Sequence, residues 1–566
     1  MVLQARKQLI TLQETLYKRA YKDAHALAVG TSRSLAAYSS RFEQSLPENF
    51  SHTTIAKLCQ KIEKSSIVLY GDFHTLRQSQ RGLVRIIREM LQTEPRKKIS
   101  LALEAFRAAD QIFLDGFQRG TLSEEKFLRK TDYHVRWGFP WNNFKMLLDF
   151  ARDHGIYVFG INSENSGKDS LNKRDNFAAE VLSRRSSSHP GEIIFCLIGE
   201  HHLADNHLPK SILNDVVGRK AKVLRIVSNV DKYFFQISRE KPTLSTEYLK
   251  LKDNLYCVMN SPPWLKWHSF TIWEELRSID EYQDFDDELE NEEEFEQYTE
   301  QTYDVDYHFL SIVKELAKFI GAKIPENSLS KFTIYSNLFS DQVGQVNFGD
   351  AELDSEIEIM LRRSNLDGIY FVSDSNVILL NDLSINNLSE VASQFIHKLL
   401  TGFSDTNGDE SERFQRRIIK SMIGMLGSKM LNPKRKCLTL NEFRKYIKNN
   451  HRKRLSGHLK MIRCAYREII RYHDWMAAKT FDYDGSECFV PRKICESDIE
   501  CNFEISRAIG LDLGYQLYAL VMSNKTSDTW IRKVFQNEIS NHTDVWEILK
   551  NIFQVVYHPG RKKINI

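Results

Sequence analysis

The sequence predicts an α/β fold, a parallel-rich central sheet flanked by helices, followed by a mostly α-helical C-terminal half. Three observations predict it. Short apolar runs between Ile67 and Val227 alternate with helical stretches, the pattern of parallel strands covered on both faces. The first four runs each end on a glycine or a polar residue, as strands do where a turn or a ligand site follows. From Leu388 onward the pattern is helical, with few strand-like runs.

Composition bounds the reading. The chain has 566 residues, 42% hydrophobic and 27% charged, enough apolar matter for real cores, which excludes a mainly disordered or fibrous protein. Lys+Arg at 78 against Asp+Glu at 75 leaves a net charge of +3, so a globally basic nucleic-acid binder is not indicated. Eight cysteines are too sparse for a disulfide scaffold, so reduced thiols are expected. No apolar segment of signal-peptide or membrane-spanning length is present, and a soluble cytoplasmic protein is expected.

The elements follow in order. Residues 1–60 form an N-terminal helical segment. Leu9, Leu12, Leu16, Ala20 and Ala24 recur at helical spacing, which predicts one long amphipathic helix from Gln4 to about Ala37. Residues 61–245 form the α/β domain. Its strands are Ile67–Tyr70 ended by Gly71, Ile99–Leu103 ended by Glu104, Ile156–Ile161 ended by Asn162, Ile193–Ile198 ended by Gly199, and Val223–Val227. Residues 246–305 read as a packed aromatic loop, Cys257 to Trp273, and an acidic linker, Asp280 to Asp306. Residues 306–566 form a mostly helical domain with a small β-hairpin around Ser373-Asp-Ser-Asn.

Chemistry-bearing residues gather at the strand ends. Gly71-Asp72-Phe73-His74 follows the first strand, Glu104 ends the second, Asn162 ends the third with Arg174-Asp175 soon after, and Gly199-Glu200-His201-His202 follows the fourth. Glycine lets the backbone turn sharply and approach a ligand. His and Glu supply metal ligands, or a base and its partners. Glu104 in an apolar run is the more telling, because a buried carboxylate must be paired or have its pKa raised. His74, Glu104 and His202 are therefore the candidate catalytic and metal-ligating residues. Asp72, Glu200, Asn162 and Arg174 are candidate cofactor-binding residues. Arg174-Asp175 reads equally as a structural ion pair at a helix start.

At these residues a resemblance emerges. Residues about 62–235 resemble the ChaN-like (haem-binding, iron-regulated) domain, which is grouped with the Tiki and TraB proteins and erythromycin esterase. The matching segments are Tyr70-Gly-Asp-Phe-His74 with Gln80, Leu103-Glu104-Ala-Phe106, Trp137 with Phe139-Pro-Trp141, Phe150 to Gly155 leading to Gly160-Ile-Asn162, Arg174-Asp175, and Gly199-Glu-His-His202 with Leu208-Pro209. The resemblance implies an erythromycin-esterase/ChaN-like fold, haem or a divalent metal ion as cofactor, and a homodimer. It also implies an alternative, a metal-dependent hydrolase of protease or esterase type at the same cleft, with His74, Glu104 and His202 as its working residues. A third reading is a non-catalytic interaction protein, and whether the chain is an enzyme stays open.

Two further features of the sequence carry competing readings. The basic stretch 434–471 could grip nucleic-acid phosphates, with Phe443, Tyr446 and Tyr466 interleaved, but a solvated helix face explains it more simply. Cys488, Cys495 and Cys501 lack any Cys-x-x-Cys pair and read as buried thiols rather than a zinc site.

Overall fold

The structure, a computed structural model, describes residues 2–27, 33–164, 170–240, 247–286, 305–329, 331–336, 354–451, 457–479, 498–523, 525, 528–537 and 542–557. The acidic run from 287 to 304, Cys488, Cys495 and part of the basic stretch lie outside them. The chain divides into two compact units: Leu16–Tyr303, and Met1–Thr15 together with Asp304–Ile566.

The first unit is built on an eight-stranded sheet. Its strands are β1 (Ser51–Thr53), β2 (Ile67–Asp72), β3 (Ile99–Arg107), β4 (Tyr157–Asn162), β5 (Ile193–Gly199), β6 (Val223–Ser228), β7 (Tyr248–Lys252) and β8 (Leu255–Val258), in the order β1-β7-β8-β6-β2-β5-β3-β4. From β8 to β4 every pairing is parallel; β7 and β1 add an antiparallel edge. β2 is buried along its whole length and β5 up to its final glycine, which is why both read as unbroken apolar runs rather than alternating ones. The chain leaves β2 toward β3 and leaves β5 toward β6, on opposite sides of this central pair. That is the crevice where open α/β sheets place ligands.

Helix Arg77–Thr93 follows β2 and buries Leu83, Ile86, Ile87 and Met90. They join Phe144, Leu147 and Leu148 of helix Trp141–Asp153 and the sheet residues Val68, Leu101 and Phe195 in one core. Each such side chain contributes about 1.5–3 kcal/mol when fully buried. β3 slips register against β4 between Leu103 and Arg107. The slip brings the Arg107 carbonyl oxygen to 2.3 Å from where a Cβ on Gly160 would stand. Gly160→Ala must therefore push two backbones apart, and urea unfolding should show a loss of about 1–3 kcal/mol; an unchanged midpoint would mean β3 and β4 are not so closely apposed.

Three expectations are corrected. The N-terminal helix is two helices, α1 (Val2–Leu27) and α2 (Arg33–Ser45). The sequence between holds Gly30-Thr31-Ser32, residue types that disfavour one continuous helix despite the apolar spacing. The aromatic loop is the end of β8 and then helix Pro263–Asp286, with proline at its first position, where a missing N–H costs nothing. Cys501 is disulfide-bonded rather than a free thiol. No helix among the described residues is long and apolar enough to cross a membrane.

In the second unit a small sheet, β9 (Thr333–Ser336), β10 (Ile369–Val372) and β11 (Val377–Leu380), contains the expected hairpin. Its turn carries Asn376 at φ 54°, a left-handed conformation that asparagine tolerates well. Helices follow, and helix Glu410–Leu431 is buried on every side from Phe414 onward. In the basic stretch Arg444 pairs with Asp474, and the rings of Phe443 and Tyr446 both pack on Tyr466.

Candidate functional site

The register of the sheet sets the site. Asp72 stands opposite Gly199, and Leu103 opposite Leu197, so the carboxyl ends of β2, β3 and β5 meet. Asp72 is buried and holds His74: its Oδ2 lies 2.9 Å from His74 Nδ1, while its Oδ1 accepts from Gln80 Nε2 at 2.7 Å. A carboxylate accepts only, so Nδ1 donates to Asp72 and Nε2 is the ring nitrogen turned toward Glu104. Gln80 and Asn143 also donate to the His74 carbonyl. Trp137 and Phe139 flank the imidazole at centroid distances of 4.6 and 4.7 Å.

Glu104 lies at the centre. Its Oε2 accepts from the Gly199 N–H at 2.7 Å and lies 3.9 Å from His74 Nε2. Its Oε1 accepts from Arg174 and lies 3.4 Å from His202 Nε2. Burial alone would raise this carboxyl, but His202, Arg174 and His74 outweigh it and hold it well below the usual carboxylate range. Asn162 Nδ2 donates to the Glu104 carbonyl, which fixes the strand end beside β4. A Cβ on Gly199 would stand 3.3 Å from His74 Nε2 and 3.6 Å from Glu104 Oε2. Glycine here keeps the space between the two groups clear.

His202 is buried and charged. Burial opposes the charge, but Glu104 and Asp175 outweigh it and push the imidazole up to about 9. Asp175 Oδ1 lies 2.6 Å from His202 Nδ1, and Asp175 Oδ2 accepts from the Tyr38 hydroxyl at 2.7 Å. Tyr38 also lies 2.9 Å from His202 Nδ1 and stacks on His207 at 3.6 Å. Burial and Asp175 push its phenol far up, so it stays protonated. Arg174 and Asp175 do not form the ion pair with each other that the sequence allowed. Adjacent positions on helix Leu171–Ser188 point apart, so Arg174 reaches Glu104 and Asp175 reaches His202.

Burial raises the Glu200 carboxyl to about 7 despite Lys266 at 3.9 Å, and lowers His201 to about 4. Lys266 is itself buried and paired with Asp231 at 2.6 Å.

A cavity of about 500 Å³ opens over this cluster, in the range of small-molecule sites. Its floor holds Asp72, His74, Glu104, Asn162, Arg174, Glu200 and His202, all seven of the residues the sequence singled out. Its walls include Trp137, Phe139, Phe270 and Trp273, with Leu35 and Tyr38 from α2. Trp273 stacks on Phe139 at 4.6 Å and donates from Nε1 to the Gly138 carbonyl at 2.8 Å. The sequence assigns no role to Leu35, Tyr38, Phe270 or Trp273, and marks Asp175 only as part of the Arg174-Asp175 pair. Trp137 and Phe139 were visible only as a motif. Among the described residues no group of three or more His, Cys, Asp or Glu is placed to hold a metal ion.

Residues 58–197 match the family described as haem-binding uptake, Tiki superfamily, ChaN. The ChaN-like segment thus spans β2 to most of β5, about a quarter of the chain, and contains Asp72, His74, Glu104, Asn162 and Arg174. Gly199 to His202 follow just beyond its end, and α2 and helix Pro263–Asp286 add walls from outside it. A solved structure titled cofacial heme binding to ChaN of Campylobacter jejuni is similar at 15% identity and a TM-score of 0.27, covering 36% of this chain and 91% of that one. No curated protein matches.

Proposed function

We propose that the strand-end cavity binds haem, with His74 as the iron ligand. The observation that carries this is the placement of His74: Nδ1 is held by Asp72, which leaves Nε2 as the ring nitrogen available to a ligand, inside a cavity walled by flat aromatic rings. A carboxylate behind the distal nitrogen orients a ligating histidine and raises its basicity. The family match supports haem as the bound molecule. Trp137, Phe139, Phe270 and Trp273 supply apolar faces for a planar macrocycle, and Arg174, whose buried Nε has no partner, supplies a cation for its carboxylates. When bound, haem supplies an iron centre whose reactivity is tuned by its axial ligand and the polarity around it.

The chain's own groups do the rest. Asp72 keeps the proton on Nδ1. Glu104 and His202 form a fixed, charge-balanced floor. The aromatic walls exclude water.

The hydrolytic alternative rests on the same Asp72–His74 pair, in which the imidazole would take a proton from water. Glu104 and His202 do not favour it as bases, since the first is held ionised far below neutrality and the second is already protonated. Haem titration separates the readings. The full-length chain should develop a saturable Soret band, and His74→Ala should weaken haem affinity by about tenfold or more, the cost of losing an anchoring ligand. Ester or peptide turnover lost in His74→Ala, with haem affinity unchanged, would favour the hydrolase.

A further inference from the structure

We propose that α2 is a hinged cap on the strand-end cavity, pinned at its C-terminal end and latched through Tyr38, and that haem enters when it lifts. The cap rests on the haem reading for its ligand, but not for its motion.

Three elements wall the cavity: the segment of Trp137 and Phe139, helix Pro263–Asp286 with Phe270 and Trp273, and α2 with Leu35 and Tyr38. The first two are fastened to each other. Trp273 stacks on Phe139 and donates to the Gly138 carbonyl, and its helix buries Trp264, Leu265, Lys266 and Thr271. α2 is held more lightly. From Leu35 to Ser45 only Tyr38 and Phe42 are buried, one helical turn apart, and Leu35 stands 39% exposed at the cavity. A rigid macrocycle passes most readily where a wall yields, and segments with few buried contacts are the ones that open.

The two ends of α2 are attached differently. At the C-terminal end the backbone is pinned: the carbonyls of Ser45, Leu46 and Pro47 accept from Lys252 Nζ at 3.3 Å, Lys232 Nζ at 3.1 Å and the Tyr233 hydroxyl at 2.6 Å. The middle of the helix is held by side chains alone. The Tyr38 hydroxyl donates to Asp175 Oδ2 at 2.7 Å and stands 2.9 Å from His202 Nδ1, and its ring stacks on His207. Beside it Ser39 Oγ lies 3.2 Å from His201 Nε2, and Phe42 packs on the His201 ring. The cavity-lining residues, Leu35 and Tyr38, thus lie away from the pinned end. Rotation about Ser45 to Pro47 withdraws both from the cavity and leaves the carbonyl anchors in place. The Tyr38 hydroxyl is the latch, because its bonds go to a carboxylate and an imidazole that stay with the floor.

The test is stopped-flow mixing of the full-length chain with dilute ferric haem, read at the Soret band, beside hydrogen exchange of the ligand-free chain. Tyr38→Phe keeps the ring and removes the hydroxyl. A hydrogen bond to a charged group is worth about tenfold or more in an equilibrium constant, so the variant's cap opens that much more often. Haem association and release should both rise by about tenfold, and the dissociation constant should move much less than either rate. In the unaltered chain the amides of residues 37–41 should exchange at least about tenfold faster than those of residues 267–273 in the facing wall, a result that decides the matter should Tyr38→Phe fail to fold. Release that changes in Tyr38→Phe while association does not, or residues 37–41 as protected as 267–273, marks α2 as a fixed wall and overturns the cap. Failure of the haem reading looks different: no saturable Soret band, with fast exchange over 37–41, removes haem as the ligand and supports the cap.

Discussion

Replacing Glu104 by alanine is expected to cost the fold about 3–5 kcal/mol, the penalty for leaving buried charge uncompensated. Three groups lose their acceptor at once: the Arg174 guanidinium, the Gly199 N–H and the buried His202 imidazolium. Glu104→Gln keeps the shape but turns a charge acceptor into an amide, so it should recover only part of the loss. Denaturant unfolding of both variants checks the order. A Glu104→Ala protein as stable as the unaltered chain would mean that the carboxylate is not the counter-charge of His202 and Arg174.

The second large effect is in pH. His202 has its folded pKa raised from 6.5 to about 9. A base held more firmly in the folded state contributes stability that is complete below pH 6.5 and is lost as pH rises through 9. The loss is on the order of 3 kcal/mol at about 1.4 kcal/mol per unit. Glu200, raised to about 7, acts in the same direction but from 4.5 to 7, and His201, lowered to about 4, acts in the opposite sense below 6.5. These two offset each other below neutrality, but Lys429, which burial lowers from 10.5 to about 7, adds stability as pH rises above 7 and opposes His202 there. The His202 contribution is therefore read as a difference: the stability that the unaltered chain holds over His202→Gln should shrink as pH rises from 7 to 9. A difference that does not change with pH would contradict the His202–Glu104–Asp175 arrangement.

What could be seen in the sequence and what could not has a physical basis. Buried parallel strands leave unbroken apolar runs, so β2 to β6 and the residues at their ends were legible, and His74, Glu104 and His202 do share one cavity. Tyr38 was not, because nothing local marks a tyrosine whose hydroxyl reaches residues 137 and 164 positions away. Trp273 was hidden by prolines that read as a loop but open a helix. β7 was missed because lysines break its short apolar run at the antiparallel edge, and β8 because its four residues run into the segment that reads as an aromatic loop. The family match reaches Asp72, His74, Glu104, Asn162 and Arg174 in the floor of the cavity but not Glu200 or His202, nor Tyr38 and Trp273, which close its sides.

The most direct test of the haem proposal is resonance Raman spectroscopy of the haem complex in the ferrous state. An iron–imidazole stretch present in the full-length chain and absent in His74→Ala, with Asp72→Asn lowering its frequency, is the predicted result, because Asp72 strengthens the ligand through Nδ1. A complex whose iron–ligand signature is the same in His74→Ala would place the ligand elsewhere and contradict the account.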